Sequence, residues 1–472
     1  MNGMTEFFFL MKHELSLVLI LVFLLILKIR TKPIVNSSLI NVMNVVFFLN
    51  FILGWFLNKD GSLFGGMFLN SGLLAFEKNI LNLGTFIICL QASSWLKDHK
   101  HVPEFYMLLI STLIGMFFML SSGNLLMFYL GLELSTIPLA AMCNFDMEKA
   151  NSSEAAMKMI MSSAFSSGIL LFGISLFYGM TGTFSLLGSG YNFDGSPLQV
   201  LSFLMLFSGF AFKLSVVPFH FWTADVYEGS PVSVTSYLSV ISKGAMVFVF
   251  SSVMYTTFKG IATVWYDAMV VLSILTMVVG NLFALRQNNM KRFLAFSSIA
   301  QVGYILIGIS GSSESGMASS IYFILIYIFS NLGAFGVISL ISSETGRESI
   351  DDYKGLYKTN PMLGWVLALS LFSLAGIPPT AGFFGKIFLL TAGAAKGNYL
   401  LITIASLNMI VSLYYYLRVI RAVFMDSNEN AIEPIKSQTS FKLAIILCVA
   451  GILVTGFANG LYEYILSLSH GM

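Results

Sequence analysis

Charge is what this chain has least of. Only 10% of its 472 residues are Asp, Glu, Lys or Arg, against 57% hydrophobic, and the formal net charge is +2. So small and dispersed a charge offers no basic face for nucleic acid. Cysteine is scarce too: Cys89, Cys143 and Cys448 lie in separate apolar segments, which excludes a thiolate cluster for zinc or iron–sulfur. No GxGxxG precedes a helix and no GxxxxGK[ST] loop occurs, so nothing supports nucleotide binding. Long hydrophilic stretches are missing as well. The longest, residues 343–360 and 425–442, fall far below domain size.

What is present is a succession of apolar runs of about 20 residues, each long enough to cross a hydrocarbon core of about 30 Å. The first, Leu15–Ile29, ends among Lys28, Arg30, Lys32 and Pro33 rather than at a small-residue cleavage site, and reads as a first span rather than a signal peptide. The expectation is an all-α polytopic membrane protein of about fourteen spans. These are 14–30, 38–58, 78–96, 104–122, 124–144, 154–178, 197–222, 231–257, 262–285, 291–310, 316–342, 361–395, 399–424 and 441–460. Ser196–Pro197, Ser230–Pro231 and Asn360–Pro361 mark helix starts, since a proline at the first turn loses no hydrogen bond. Loops after odd-numbered spans carry sixteen Lys and Arg, Lys291 and Arg292 among them, and the opposite loops five, Lys78 among them. Basic residues stay inside, so both termini are expected outside.

Two spans cannot be simple helices. Residues 361–395 would make a straight helix of roughly 52 Å, and Gly376-Ile377-Pro378-Pro379 breaks it. Span 197–222 has the same defect at Pro218. Irregular backbone at membrane depth survives only against protein or a wet cavity. The broken spans, seventh and twelfth, stand five apart, which suggests two five-helix repeats inverted relative to each other. The expected division is a three-helix segment at 1–103, repeats at 104–257 and 262–424, and a C-terminal helix at 441–472.

Four lysines fall inside apolar runs: Lys158, Lys213, Lys243 and Lys386, with one acid, Glu133. A charge in hydrocarbon costs about 2.5–3.5 kcal/mol on lenient scales, so such groups persist where they face a wet path or one another. Lys243 lies 12 residues beyond Pro231, near the midplane and out of reach of headgroups. Lys213 precedes the Pro218 break, where freed carbonyls would also satisfy it. Glu133 is deep in its span and suits pairing with a lysine, for transport or as a structural ion pair. Lys386 follows Pro379 by seven residues. Lys158 stands four residues from Glu154, so a snorkelling ion pair explains it as well as function does. Phe219-His220-Phe221-Trp222 reads as an interfacial girdle, His99 and His101 as loop residues, and the 26 methionines as packing.

The segment KLSVVPFHFWTADVYEGSPVSVTSYLSVISKG, residues 213–244, resembles the subunit N family of bacterial respiratory complex I, the proton-pumping NADH:quinone oxidoreductase. So do MFYLGLELSTIPL around Glu133, KRFLAFSSIAQVGY at 291–304 and LAGIPPTAGFFGK at 374–386. The resemblance implies a gating pair at Glu133 and Lys213, a central relay at Lys243, an exit or onward relay at Lys386, and a place for Lys158 in proton translocation. It implies no cofactor in this chain, with NAD, flavin, iron–sulfur and quinone in other subunits. It further implies K- and M-like neighbours and a bacterial inner membrane with periplasmic termini. Gln301 departs from the family pattern, which often has histidine there, and glutamine cannot carry a proton. The rival reading is a subunit of a multi-subunit sodium/proton antiporter without redox chemistry; the turn Asp225–Pro231, joining spans seven and eight, and Lys386 speak against it.

Overall fold

The computed structural model describes residues 3–29, 35–186, 195–311 and 313–470. Arg30, Lys32 and Pro33 lie outside these. The chain begins with α1 (Gly3–Leu10), α2 (Lys12–Ile29) and α3 (Asn36–Leu53), then a short antiparallel hairpin of β1 (Gly61–Leu63) and β2 (Phe68–Asn70). Next come α4 (Gly72–Leu96), α5 (Val102–Leu120), α6 (Leu125–Cys143) and α7 (Ala150–Thr181). The first broken helix is α8 (Pro197–Leu214) with α9 (Phe221–Gly229). It is followed by α10 (Val232–Tyr237), a π-helical turn at Leu238–Ser242 and α11 (Lys243–Thr256). Then follow α12 (Ala262–Ala284), α13 (Met290–Ser310), α14 (Glu314–Thr345) and the single turn α15 (Leu356–Thr359). The second broken helix is α16 (Pro361–Ala375) with α17 (Ala381–Ala394), and α18 (Tyr399–Phe424), α19 (Thr439–Phe457) and α20 (Asn459–Ser469) close the chain.

Among the described residues twelve helices are long and apolar enough to cross a membrane, taking Val232–Thr256 as one. The other two of the expected spans correspond to α2, which carries Lys12, Glu14 and Lys28, and to the two halves α16 and α17. Burial orders them: the apolar stretches of α13 and α14 are wholly enclosed, that of α4 nearly so, whereas in α3 and α18 most side chains are at least partly exposed. A helix apolar all round is a core or membrane helix, and both kinds occur here.

Local geometry recurs in two places. At Gly115 of α5 a β-carbon would stand 2.4 Å from Ser135 N and 2.9 Å from Gly131 O; at Gly280 of α12 it would stand 2.6 Å from Ala300 N and 3.0 Å from Phe296 O. Asn124 caps α6 and Asn289 caps α13, each through its side-chain oxygen. Beside each cap the chain leaving a later helix forms a two-bond bridge. Leu125 N donates to Phe184 O at 2.8 Å and Leu186 N to Gly123 O at 2.9 Å; Met290 N donates to Glu348 O at 2.8 Å and Ile350 N to Asn288 O at 2.7 Å. The first halves of both broken helices then end alike. Ser215 and Gly376 take left-handed φ of 65° and 86°, and Val216 N and Ile377 N reach back to Ala211 O and Phe372 O at 2.8 and 3.0 Å. That is the Schellman termination, which satisfies carbonyls a helix end leaves free.

Three sequence expectations need correction. Lys78 is not a loop residue: α4 starts six residues earlier and encloses it completely, because Glu14 of α2 supplies a counter-charge. Trp222 does not face outward as a girdle residue; it is buried, with Nε1 donating to Phe212 O at 3.0 Å, and so pins α9 to the end of α8. Asp225–Gly229 is not a turn but the last stretch of α9. The halves of the second break pack as tightly as backbone permits. A β-carbon at Gly382 would lie 1.7 Å from Ser373 O. Gly382→Ala should therefore cost about 1–3 kcal/mol as an overpacked contact, seen as lower thermal stability of the purified protein; an unchanged midpoint would refute this packing.

Candidate functional site: buried lysines along the helix core

Lys243 opens α11 immediately after the π turn, is 3% exposed, and donates from Nζ to Ser298 Oγ of α13 at 2.7 Å, with Nζ 5.5 Å from the Tyr227 ring centre. A π turn shifts the side chains beyond it around the helix axis and is frequent at functional positions. Here it carries Ser239, whose hydroxyl meets Tyr327 OH at 3.3 Å and Asn331 Nδ2 at 2.8 Å. Lys386 is 1% exposed and donates to Leu374 O at 2.8 Å and Ala375 O at 3.1 Å, the freed carbonyls of broken α16, with Nζ 5.0 Å from the Tyr304 ring centre. A cation is favoured at a helix C-terminus for this reason.

Helix α13 joins the two lysines. One turn beyond Ser298, Gln301 donates from Nε2 to Leu374 O at 3.0 Å, the same carbonyl that holds Lys386, and to Tyr416 OH at 3.2 Å. Ser330 and Ser373 add a 2.7 Å hydrogen bond between α14 and α16. Gln301 thus stands one turn from the residue that holds Lys243 and on the carbonyl that holds Lys386.

Lys213, on the last turn of α8, is buried and bonds Thr136 Oγ1 of α6. Glu133 lies one turn before Thr136, with Oε1 buried and unbonded. Among the described residues the two form no salt bridge. Lys158 differs from the others. Its side chain is 41% exposed and pairs with Glu154 and Asp225, both at 2.6 Å, while Arg292 links Asp225 at 2.7 Å to Glu228 at 2.8 Å. The i,i+4 pair with Glu154 is the contact its sequence position suggests.

Sequence reasoning missed a polar cavity. A cavity of about 320 Å³ is lined by Asp146, Lys149, Glu228, Lys291 and Glu348 and reaches Ser233 and Ser339. Lys291 spans it, pairing with Glu348 at 3.0 Å and donating to Ser230 O at 3.2 Å. From there Ser233, Ser236 and Ser239 follow every third residue to the π turn and Lys243. The clue was available in the helix-start charges Lys291 and Arg292, which read as loop residues. His99, in the connection between α4 and α5, stacks on Phe145 with ring centres 4.7 Å apart; burial lowers its pKa. Among the described residues no group of His, Cys, Asp and Glu could hold a metal.

Residues 122–412 match the family described as NADH:quinone oxidoreductase/Mrp antiporter, TM. The chain belongs to this family. It is 48% identical over 409 residues to NADH-quinone oxidoreductase subunit N of Phocaeicola vulgatus, covering 86% of this chain and 87% of that one. A chain of respiratory complex I from Thermus thermophilus with bound aureothin superposes with a TM-score of 0.81 at 28% identity, covering 96% of this chain and 98% of that one. A chain of the Mrp complex from Dietzia sp. superposes at 0.84 with 19% identity, covering 98% and 95%, a likeness of fold alone. The matched span contains Glu133, Lys158, Lys213, Lys243 and Lys386, and stops short of α1–α5.

Proposed function

We propose that this chain is the N-type membrane subunit of a proton-translocating NADH:quinone oxidoreductase, moving protons through buried lysines while redox chemistry proceeds elsewhere in the complex. The observation that carries the mechanism is a succession of polar groups from the Lys291–Glu348 cavity past Ser239 to the Lys243–Ser298 bond, and on to Gln301, which shares Leu374 O with Lys386. In this reading Lys243 is the central relay and Lys386 passes the proton on. Glu133 and Lys213 gate the first half, and Lys158 with Asp225 and Arg292 holds the half-helix α9 in place. The recurring helix crossings, caps and terminations support two five-helix repeats, 104–257 and 262–424, preceded by a three-helix segment at 1–103 and followed by a C-terminal helix at 441–472. The repeats are inverted, because five spans each reverse the direction of entry.

The relatives' names support other subunits of an NADH:quinone oxidoreductase as partners; the same reading adds K- and M-like membrane neighbours, a bacterial inner membrane and NAD, flavin, iron–sulfur and quinone sites in other subunits. The loop charges still favour periplasmic termini after Lys78 is removed from the count. The test is purification of the native complex through a tag on this chain. NADH oxidation by quinone with proton uptake into inverted vesicles, insensitive to sodium, is the expected result. Sodium/proton exchange without NADH oxidation would replace this reading with the antiporter one.

A further inference from the structure

A second set of buried ionisable groups lies outside the matched family region and takes no part in the line just described. Glu14 and Lys78 form an ion pair at 2.6 Å, and their side chains are 1% and 0% exposed. Around them stand His13 and Lys12 on α2, Glu77 on α4 and the Phe68 ring of β2, 5.1 Å from Lys78 Nζ. Among the described residues, both carboxylate oxygens of Glu14, His13 Nε2 and Lys78 Nζ are buried without a hydrogen bond of regular geometry. This is a poor structural ion pair. Burying two charges costs several kcal/mol each, about what their attraction returns only when further hydrogen bonds complete both groups. Here those bonds are missing.

The site has an outlet and an inward extension. Lys12 bonds the carbonyls of Gly54 and Phe56 and the side chain of Asn58, at an exposed loop, and Lys59 pairs with Glu6 at 2.7 Å beside it. Inward, Ser16 donates to Asn50 Oδ1 at 2.6 Å and Asn50 to Asn82 Oδ1 at 2.9 Å, leaving the Asn82 amide nitrogen buried and unbonded. The opposite side of α4 packs on the π turn: a β-carbon at Gly84 would lie 2.3 Å from Ile241. Helix α4 thus separates this cluster from Lys243.

We propose that Glu14 and Lys78 form a second proton-exchange site, in the N-terminal three-helix segment and reached from the Lys12–Asn58 end. A proton leaves Lys78 Nζ for a Glu14 oxygen, breaking N–H and forming O–H to give a neutral pair; a hydronium entering past Lys12 and His13 gives its proton to Lys78 and leaves as water, and loss of the Glu14 proton to another water then restores the ion pair. The surrounding charges that tune it are Lys12, His13 and Glu77, with Glu6 and Lys59 at the rim.

The test uses the intact complex in its own membrane and dicyclohexylcarbodiimide, which attacks a protonated carboxyl in apolar surroundings. Peptide mass spectrometry should find the adduct on Glu14 at least about threefold more at pH 6 than at pH 9. Lys78→Met, which leaves Glu14 no partner but a proton, should raise labelling at both pH values. Labelling in Lys78→Met but never in the wild type would show a permanent ion pair and overturn the proposal. Labelling in neither would show a site closed to exchange, with the same consequence. Because the wild-type measurement needs no variant, failure of Lys78→Met to assemble leaves the proposal testable by the pH dependence alone.

Discussion

Lys243→Ala is expected to lower proton translocation through this subunit at least about tenfold, equivalent to roughly 1.4 kcal/mol or more on the barrier, while the complex still assembles. Assembly should survive because of what Lys243 touches. Its hydrogen-bond partner is Ser298, a neutral hydroxyl that can turn elsewhere, and its other neighbour is the face of Tyr227. Removing it strands no carboxylate, unlike the loss of one member of a buried ion pair, which costs about 3–5 kcal/mol. Function should fail because the line from Ser239 to Ser298 loses the one group in it that binds and releases a proton. Lys243→Arg should fail as well, since a guanidinium keeps its proton at any accessible pH. The measurement is protons taken up per NADH oxidised in inverted vesicles. Either variant assembling with a normal ratio would remove Lys243 from the relay.

The lysines themselves were legible because each is a charge in an otherwise apolar run, and both helix breaks were legible because proline cannot continue the ladder. Their partners were not. Thr136, Ser298 and the carbonyls of Leu374 and Ala375 are ordinary residues on other helices, and only packing brings them to Lys213, Lys243 and Lys386. Lys78 was misplaced for a related reason. A span taken to begin at a charge puts that charge in water, whereas Gly72 to Glu77 already forms helix and Glu14, far away in sequence, neutralises the lysine. Trp222 followed the interfacial preference of its type, yet a carbonyl freed at the break gave its N–H a buried partner. The recurrence of caps, bridges and helix terminations was not legible in the sequence, because many residues can satisfy each of them.

Glu133→Gln and Lys213→Met should each lower proton translocation severely, and the double variant should lose far less than the two losses combined. The geometry supplies the reason. Lys213 bonds Thr136, while Glu133 stands one turn earlier on the same helix with a buried oxygen unbonded. In the proposed gate, a rotamer change of the long lysine chain exchanges a neutral hydroxyl for a carboxylate. These are the two states a gate requires, and the balance between them is set by differential contacts alone. Thr136→Val removes the hydroxyl, so Lys213 should remain with Glu133 and translocation should slow with the complex intact. Deleting either charge leaves the other buried and uncompensated at a cost of about 3–5 kcal/mol, which is why the coupling should be large. A double-mutant cycle on proton uptake per NADH measures it. Additive losses, together with a Thr136→Val variant that pumps normally, would show that Lys213 and Glu133 act separately and that the first half of the subunit is gated elsewhere.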